Sequence, residues 1–408
     1  MKILWLNAGL LLPLDKGGKL RTWHLMRHLA RRHDITYLSF ADPSPRPADI
    51  EGMREVASEL VTIPRTDLSK GTARFYVDAT RYLLAPIPYA VAKYGAAAYR
   101  ATIEQLVRER AFDAVVCDFL PPVVNLPPTL PCPTILFTHN VEAEIWRRHA
   151  ENAANPLTRF LLREQWRRML RFERESLERF DLVLCVSDAD RQTFSRLYPD
   201  SVKAPPHVIK TGVDTEYFAP ATEYAARRAH LVFTGSMDWL PNEDGIQYFV
   251  REILPRVRQT EPEATLSIIG RSPTPAVKRL AETAGIDVTG RVDDVRPHIA
   301  KGSVYIVPLR IGGGTRLKIF EAMAMGKAVV STTVGAEGLP VTAGHDIIIA
   351  DEPARFAQAV VHLIRDAELR ERIERSARQL VVDRYDWSAV AEDFEDALGR
   401  LRRDGVAA

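Results

Sequence analysis

Val307-Pro-Leu-Arg-Ile-Gly-Gly-Gly-Thr-Arg-Leu-Lys-Ile-Phe-Glu-Ala-Met-Ala-Met-Gly-Lys-Ala-Val-Val-Ser-Thr-Thr-Val-Gly-Ala-Glu-Gly-Leu-Pro340 reads as a strand, a glycine-rich turn, a helix with one acid on its exposed side, and a second strand. Such a unit is built to hold an anion. Gly312, Gly313 and Gly314 let the backbone turn and bring its N–H groups close to a ligand. Thr315 is placed to cap the helix, whose first-turn N–H groups point outward. Arg316 and Lys318 add positive charge where the helix dipole already disfavours it, so a bound anion explains them better than helix stability does. Glu321, further along, offers a carboxylate to a ribose diol. The plainer alternative is a tight βα turn with a solvated, charged helix start.

Outward from this unit the same alternation continues. Lys2–Leu6, Ile35–Phe40, 114–117, 134–137 and 182–186 are apolar runs of strand length, each separated by loops or helix-length stretches. A second series follows at 231–234, 265–269, 304–308 and 328–331, with helices expected at 245–260 and 353–382. Alternation of this kind predicts parallel sheets covered on both faces. The polar, proline-rich stretch 200–206 marks a boundary, giving domains at 1–203 and 204–382 and a final segment at 383–408. In doubly wound sheets, ligands bind beyond the carboxyl ends of the strands, here in the cleft that two such domains would share.

With 408 residues the chain is long enough for two cores, and 46% hydrophobic with 26% charged residues is the balance of a soluble globular protein. A net charge of +2 disfavours a nucleic-acid binder. Met1–Leu14 is apolar without a basic flank or a small-residue cleavage site, and reads as a buried strand and loop rather than a signal peptide. No apolar run is long enough to span a bilayer. Cys117, Cys132 and Cys185 are scattered in apolar runs, the pattern of buried thiols in a reducing cytosol. No Asp-x-Asp sits on a strand-end loop, since Asp188-Ala189-Asp190 follows Ser187 as a helix start; no metal site is expected.

Glu321-Ala322-Met323-Ala324-Met325-Gly326 resembles the donor-binding motif of the retaining family-4 glycosyltransferases, in which an acid, seven residues and a second acid precede Ala-x-Ala-x-Gly. The second half matches in full; the first acid would fall at Gly313 and is absent. The Gly-Gly-Gly-Thr-Arg-Leu-Lys variant is similar to exopolysaccharide-cluster (PEP-CTERM/EpsH-associated) sugar transferases. The segments 209–218 and 384–388 also resemble the opening and the end of the family's second domain. The resemblance implies a GT-B fold, two Rossmann-like doubly wound α/β domains facing a central cleft, with the last helix crossing back to the first domain. It implies a metal-independent hexosyltransferase that moves a sugar from a UDP- or GDP-linked donor to a glycan or lipid-linked acceptor. No cofactor beyond the donor substrate is called for. Arg316 and Lys318 would stabilise the leaving diphosphate, because the family's usual Arg and Lys-Gly pair near Gly235 and Ser236 is missing; those two would approach the diphosphate through the Gly235 N–H and the Ser236 hydroxyl.

Gly17 and Gly18 occupy the first βα turn, where the family has a loop that closes on the donor; the lack of Gly-x-Gly-x-x-Gly argues against a nicotinamide cofactor. His139 follows the 134–137 strand, where its ring could donate to a sugar hydroxyl. Glu142 and Glu144 read equally as acceptor-side acids or as a solvated helix start. The segment 74–99 is a second candidate acceptor lip. Arg159, Arg163, Arg167, Arg171 and Arg174 recur at helical spacing beside an apolar stripe of Leu162, Trp166, Met169 and Leu177. That helix is either an ordinary domain helix with ion pairs or a surface for weak contact with the anionic inner face of the plasma membrane. The expected location is cytoplasmic. A nucleotide-sugar epimerase and a non-catalytic nucleotide-sugar-binding protein on the same fold are the competing readings.

Overall fold

The computed structural model describes residues 1–14, 17–65, 85–151, 153, 155–201, 204–221, 224, 226–311 and 316–406. The chain divides into two compact units, Met1–Lys210 with Val390–Ala408, and Thr211–Ala389.

In the first unit the described strands are β1 (Lys2–Asn7), β2 (Asp34–Ala41), β3 (Glu59–Pro64), β4 (Ala114–Asp118), β5 (Thr134–Phe137), β6 (Leu182–Cys185) and β7 (His207–Val208). They form one sheet in the order β3-β2-β1-β4-β5-β6-β7, with every pair parallel. Successive residues of β1 and β4 are buried on both faces, as a sheet covered on both sides requires. The strand order reverses between β1 and β4, so the carboxyl ends of these two strands, at Asn7 and Asp118, open the crevice where doubly wound sheets bind ligands.

The second unit repeats the plan with β8 (His230–Thr234), β9 (Thr265–Ile269), β10 (Ile286–Gly290), β11 (Val304–Val307), β12 (Val329–Ser331) and β13 (Ile348–Ile349). Its order is β10-β9-β8-β11-β12-β13, again parallel throughout, with the reversal between β8 and β11. Val213 N–H donates to the Tyr385 carbonyl at 2.7 Å, and the Thr215 hydroxyl donates to Asp386 at 2.6 Å. Residues 213–215 and 385–386 therefore meet within this unit, and Gly212 is a glycine because a Cβ there would lie 2.6 Å from the Trp387 ring.

Four expectations are corrected. The boundary at 203 falls too early, because His207–Val208 pairs with Leu184–Cys185 as the last strand of the first sheet. The helix expected at 245–260 starts at Leu240, with Pro241 in the first turn, and passes through a π segment at Phe249–Ile253. Pro255 explains the widening, since it has no N–H to donate and its ring crowds the carbonyl four residues back. The helix expected at 353–382 is two helices, Pro353–Arg365 and Ala367–Tyr385, the second capped by Asp366, which accepts from the Leu369 N–H at 2.9 Å. The helix following residues 312–315 is Leu317–Ala324 and its cap position holds Arg316 without a side-chain cap bond, not Thr315.

Candidate active site

In the second unit, β8 and β9 are each followed by a glycine with positive φ, Gly235 at 155° and Gly270 at 158°. The Gly235 N–H donates to the Ile269 carbonyl at 3.0 Å, which corrects the expectation that this N–H reaches the diphosphate, and an added Cβ on Gly270 would lie 1.6 Å from the Gly235 carbonyl oxygen. Only two bare backbones can pass this closely. The helix Leu317–Ala324 brings Lys318 to this place. Its Nζ donates to Asn242 Oδ1 at 2.7 Å, and Asn242 Nδ2 donates to the Ser236 carbonyl at 2.9 Å. A Cβ on Gly235 would meet Lys318 Nζ at 2.9 Å and Asn242 Nδ2 at 2.5 Å. The ammonium also lies 4.2 Å from the centre of the Phe233 ring. Burial pushes the Lys318 pKa down to about 7, and the same cause pushes Glu321, one turn on, up to about 7. An anion placed here would restore the lysine charge.

Arg316 is buried, with its guanidinium 5.3 Å from the centre of the Trp239 ring, and burial lowers its pKa. The Ser236 hydroxyl is engaged, donating to Asp238 at 2.6 Å and accepting from Arg271 Nε at 2.9 Å. Gly313, Gly314 and Thr315 lie outside the described residues. Asn242 is the partner that sequence reading missed, although it sits in the first turn of the helix that follows β8.

In the first unit the crevice is a pocket of about 750 Å³ whose walls include Asn7, Gly18, Phe40, Arg65, Phe119 and Glu142. Burial raises the Glu142 pKa. His139 is not on the wall of this pocket; Phe119 covers it, with the two rings stacked at 3.8 Å and 12°. Both imidazole nitrogens are engaged, Nδ1 by Arg21 Nη1 at 3.1 Å and Nε2 by Asp118 Oδ1 at 2.8 Å. Arginine can only donate, so Nδ1 accepts and Nε2–H is the donor to the carboxylate. Burial lowers the His139 pKa against the opposing pull of Asp118, and a neutral ring fits that tautomer. The expectation that His139 donates to a sugar hydroxyl is therefore corrected: its donor is spent within the protein.

Asp118 is fully buried and its other oxygen accepts from Asn7 Nδ2 at 2.6 Å, Thr22 Oγ1 at 2.8 Å and Trp5 Nε1 at 3.3 Å. The network ties the ends of β1 and β4 to the helix Gly17–Leu29. Gly18 serves this packing, because a Cβ there would lie 2.5 Å from the Phe119 ring; around Gly17 the space is open. Asp118 went unread although it is the acid that closes the apolar run 114–117, and Phe119 in a left-handed conformation, φ 67°, carries no local signal.

A Glycosyltransferase Family 4 model matches residues 16–217, and a Glycosyl transferases group 1 model matches residues 228–366. An uncharacterised 44.6 kDa protein in the cps region of Klebsiella pneumoniae is 23% identical over 172 residues, 40% of this chain and 44% of that protein. The alpha-maltose-1-phosphate synthase of Mycobacterium tuberculosis is 25% identical over 253 residues, 54% of this chain and 63% of that enzyme. In both cases less than two thirds of the relative is matched. Among solved structures, Anabaena HepE in complex with UDP covers 98% of this chain and 100% of its own, at 15% identity and a TM-score of 0.64. Sucrose-phosphate synthase from Thermosynechococcus elongatus covers 100% and 99%, at 16% identity and a TM-score of 0.62. These two show the fold. With a family-4 domain preceding a group 1 domain on two parallel, doubly wound sheets, the chain belongs to the GT-B glycosyltransferases of family 4.

Proposed function

We propose that this chain transfers a hexosyl group, with retention, from a UDP- or GDP-linked donor to a glycan or lipid-linked acceptor in polysaccharide synthesis on the cytoplasmic side. The observation that carries the reading is the convergence of Lys318, Asn242 and Gly235 at the carboxyl end of β8, beside the helix that bears Glu321. A depressed lysine at the end of a parallel strand is suited to a diphosphate, and Glu321 to the ribose diol. The UDP in the HepE structure supports a uridine nucleotide, and the cps-region relative supports the polysaccharide setting. Arg316 and Lys318 stabilise the departing diphosphate, whose oxygen takes the acceptor proton, so no divalent metal is required. His139 acts through Asp118 and Phe119 as a positioning residue for the first unit's pocket.

The test is acceptor-dependent release of free UDP or GDP from candidate sugar nucleotides. Lys318→Ala is expected to lose about 2–4 kcal/mol of transition-state stabilisation, roughly 30- to 1000-fold in kcat/KM, with the melting temperature nearly unchanged. Turnover in EDTA is expected to match turnover with added Mg²⁺. Near-normal release by Lys318→Ala, or strict dependence on a divalent ion, overturns the assignment. An epimerase would instead convert the donor without releasing nucleotide.

A further inference from the structure

The 24-residue helix Pro156–Arg179 buries Met169, Ser176 and Leu177 in the first unit's core, yet its opening turns are exposed. Leu157, Phe160 and Leu161 are 67%, 66% and 42% exposed, an unusual cluster of large apolar side chains in contact with water. Four exposed arginines follow, Arg163, Arg167, Arg171 and Arg174. At helical pitch these four and Phe160 fall within an arc of about 80°, with Leu157 about 40° and Leu161 about 80° outside it. None of the four makes an ion pair among the described residues. Two of the nearby compensating charges are used elsewhere. Glu164 pairs with Arg168 at 3.0 Å, and buried Glu173 accepts from the Glu142 N–H at 2.8 Å and the Tyr198 hydroxyl at 2.6 Å. Arg159 turns back to donate to the Ala153 carbonyl at 2.8 Å and leaves the stripe. Exposed Glu175 and Glu178 lie in the last turns, away from the apolar end, and Glu178 falls inside the same arc.

We infer that this face is a docking surface for an anionic lipid bilayer, with Phe160 and Leu157 entering the headgroup–acyl boundary and the four arginines resting on lipid phosphates. Charge selects this occupant. A second copy meeting the same face across a two-fold axis would set four unpaired cations against four others, whereas an anionic bilayer supplies phosphate for the arginines and hydrocarbon for the aromatic ring. The inference does not depend on the proposed sugar transfer.

The experiment is co-sedimentation of the full chain with vesicles of phosphatidylglycerol and phosphatidylcholine in equal parts, against pure phosphatidylcholine, at low and high salt. Binding is expected only to the anionic vesicles and is expected to weaken with salt. The combined variant R163E, R167E, R171E is expected to abolish it, since each cation contributes about fivefold at such a surface. Leu157→Ser with Phe160→Ser is expected to weaken binding about tenfold while leaving its salt dependence in place. All five positions are exposed, so melting temperature and far-ultraviolet circular dichroism are expected to be unchanged, and a variant that unfolds is replaced by the single R167E. Unaltered sedimentation of the charge-reversed variant overturns the inference. So does a concentration-dependent dimer, seen by ultracentrifugation, that Phe160→Ser dissolves.

Discussion

Lys318 and Glu321 sit one turn apart on the Leu317–Ala324 helix, and burial drives both toward their neutral forms near pH 7. A diphosphate beside Lys318 favours the ammonium, so the lysine pKa rises on binding from about 7 toward or beyond its ordinary 10.5. Between those values binding takes up a proton, and affinity for UDP or GDP is expected to fall as pH rises above neutrality. Calorimetry in buffers of different ionisation enthalpy measures that uptake directly. Lys318→Gln is expected to abolish it, and an unchanged uptake in that variant would assign the proton elsewhere. At Gly18 the expectation is steric. Gly18→Ala places a methyl 2.5 Å from the Phe119 ring, which must swing off His139, at a cost of about 1–3 kcal/mol in denaturant unfolding. Gly17→Ala, with open space around it, is expected to cost far less.

Among the elements, the helix Glu142–Glu151 starts on a borrowed cap. Its first N–H groups, on Glu142 and Ala143, donate to Glu173 at 2.8 and 3.2 Å, and Tyr198 adds its hydroxyl at 2.6 Å. Glu173→Ala leaves these donors without a partner and is expected to cost about 2–4 kcal/mol. Glu173→Gln keeps an acceptor and removes the charge. Burial raises the Glu173 pKa from the ordinary 4.5 to about 7, so between those values the folded state binds more protons than the unfolded one. Stability from this group therefore falls as pH rises across that window and is level above it. Urea midpoints at several pH values are expected to show that slope in the native protein and a shallower one in Glu173→Gln; parallel profiles would remove Glu173 as the cause. Nothing in the sequence around Glu173 signalled this role, because its partners come from residues 31 and 25 positions away. The strands divide in the same way. β1, β2, β4, β8, β9 and β11 were legible because each carries a long apolar run. Two-residue β7 and β13 were not, nor were β3, whose residues are only half buried at the sheet's edge, and β10, in which Ile286 alone is buried. In the site, the cations and Glu321 were legible from local spacing, whereas Asn242 and the Arg21–His139–Asp118 relay needed the topology that joins strand ends distant in sequence.

For the molecule as a whole, the first unit is discontinuous, since Val390–Ala408 belongs with Met1–Lys210. The helix Trp387–Val406 supplies part of its interior. Phe394 is fully buried, stacked on Trp5 at 5.7 Å and edge-on to Phe137 at 5.9 Å, so it closes on β1 and β5 at once. Glu395 meets His33 at 2.8 Å and Asp393 meets His207 at 2.9 Å, pairs that fix the helix along the same unit but are partly exposed and add little. The energy therefore rests on the aromatic cluster. Phe394→Ala is expected to cost about 3–5 kcal/mol, the usual range for an aromatic removed from a core that cannot collapse around the loss. That cost is expected to fall on one unit. Native-state hydrogen exchange should show protection lost in β1, β4 and β5 and kept in β8, β9 and β11, whose core draws on Thr211–Ala389 alone. Equal loss of protection in both sheets would mean that the two units open as a single cooperative body, and the discontinuous segment would then be stabilising more than the sheet it packs on.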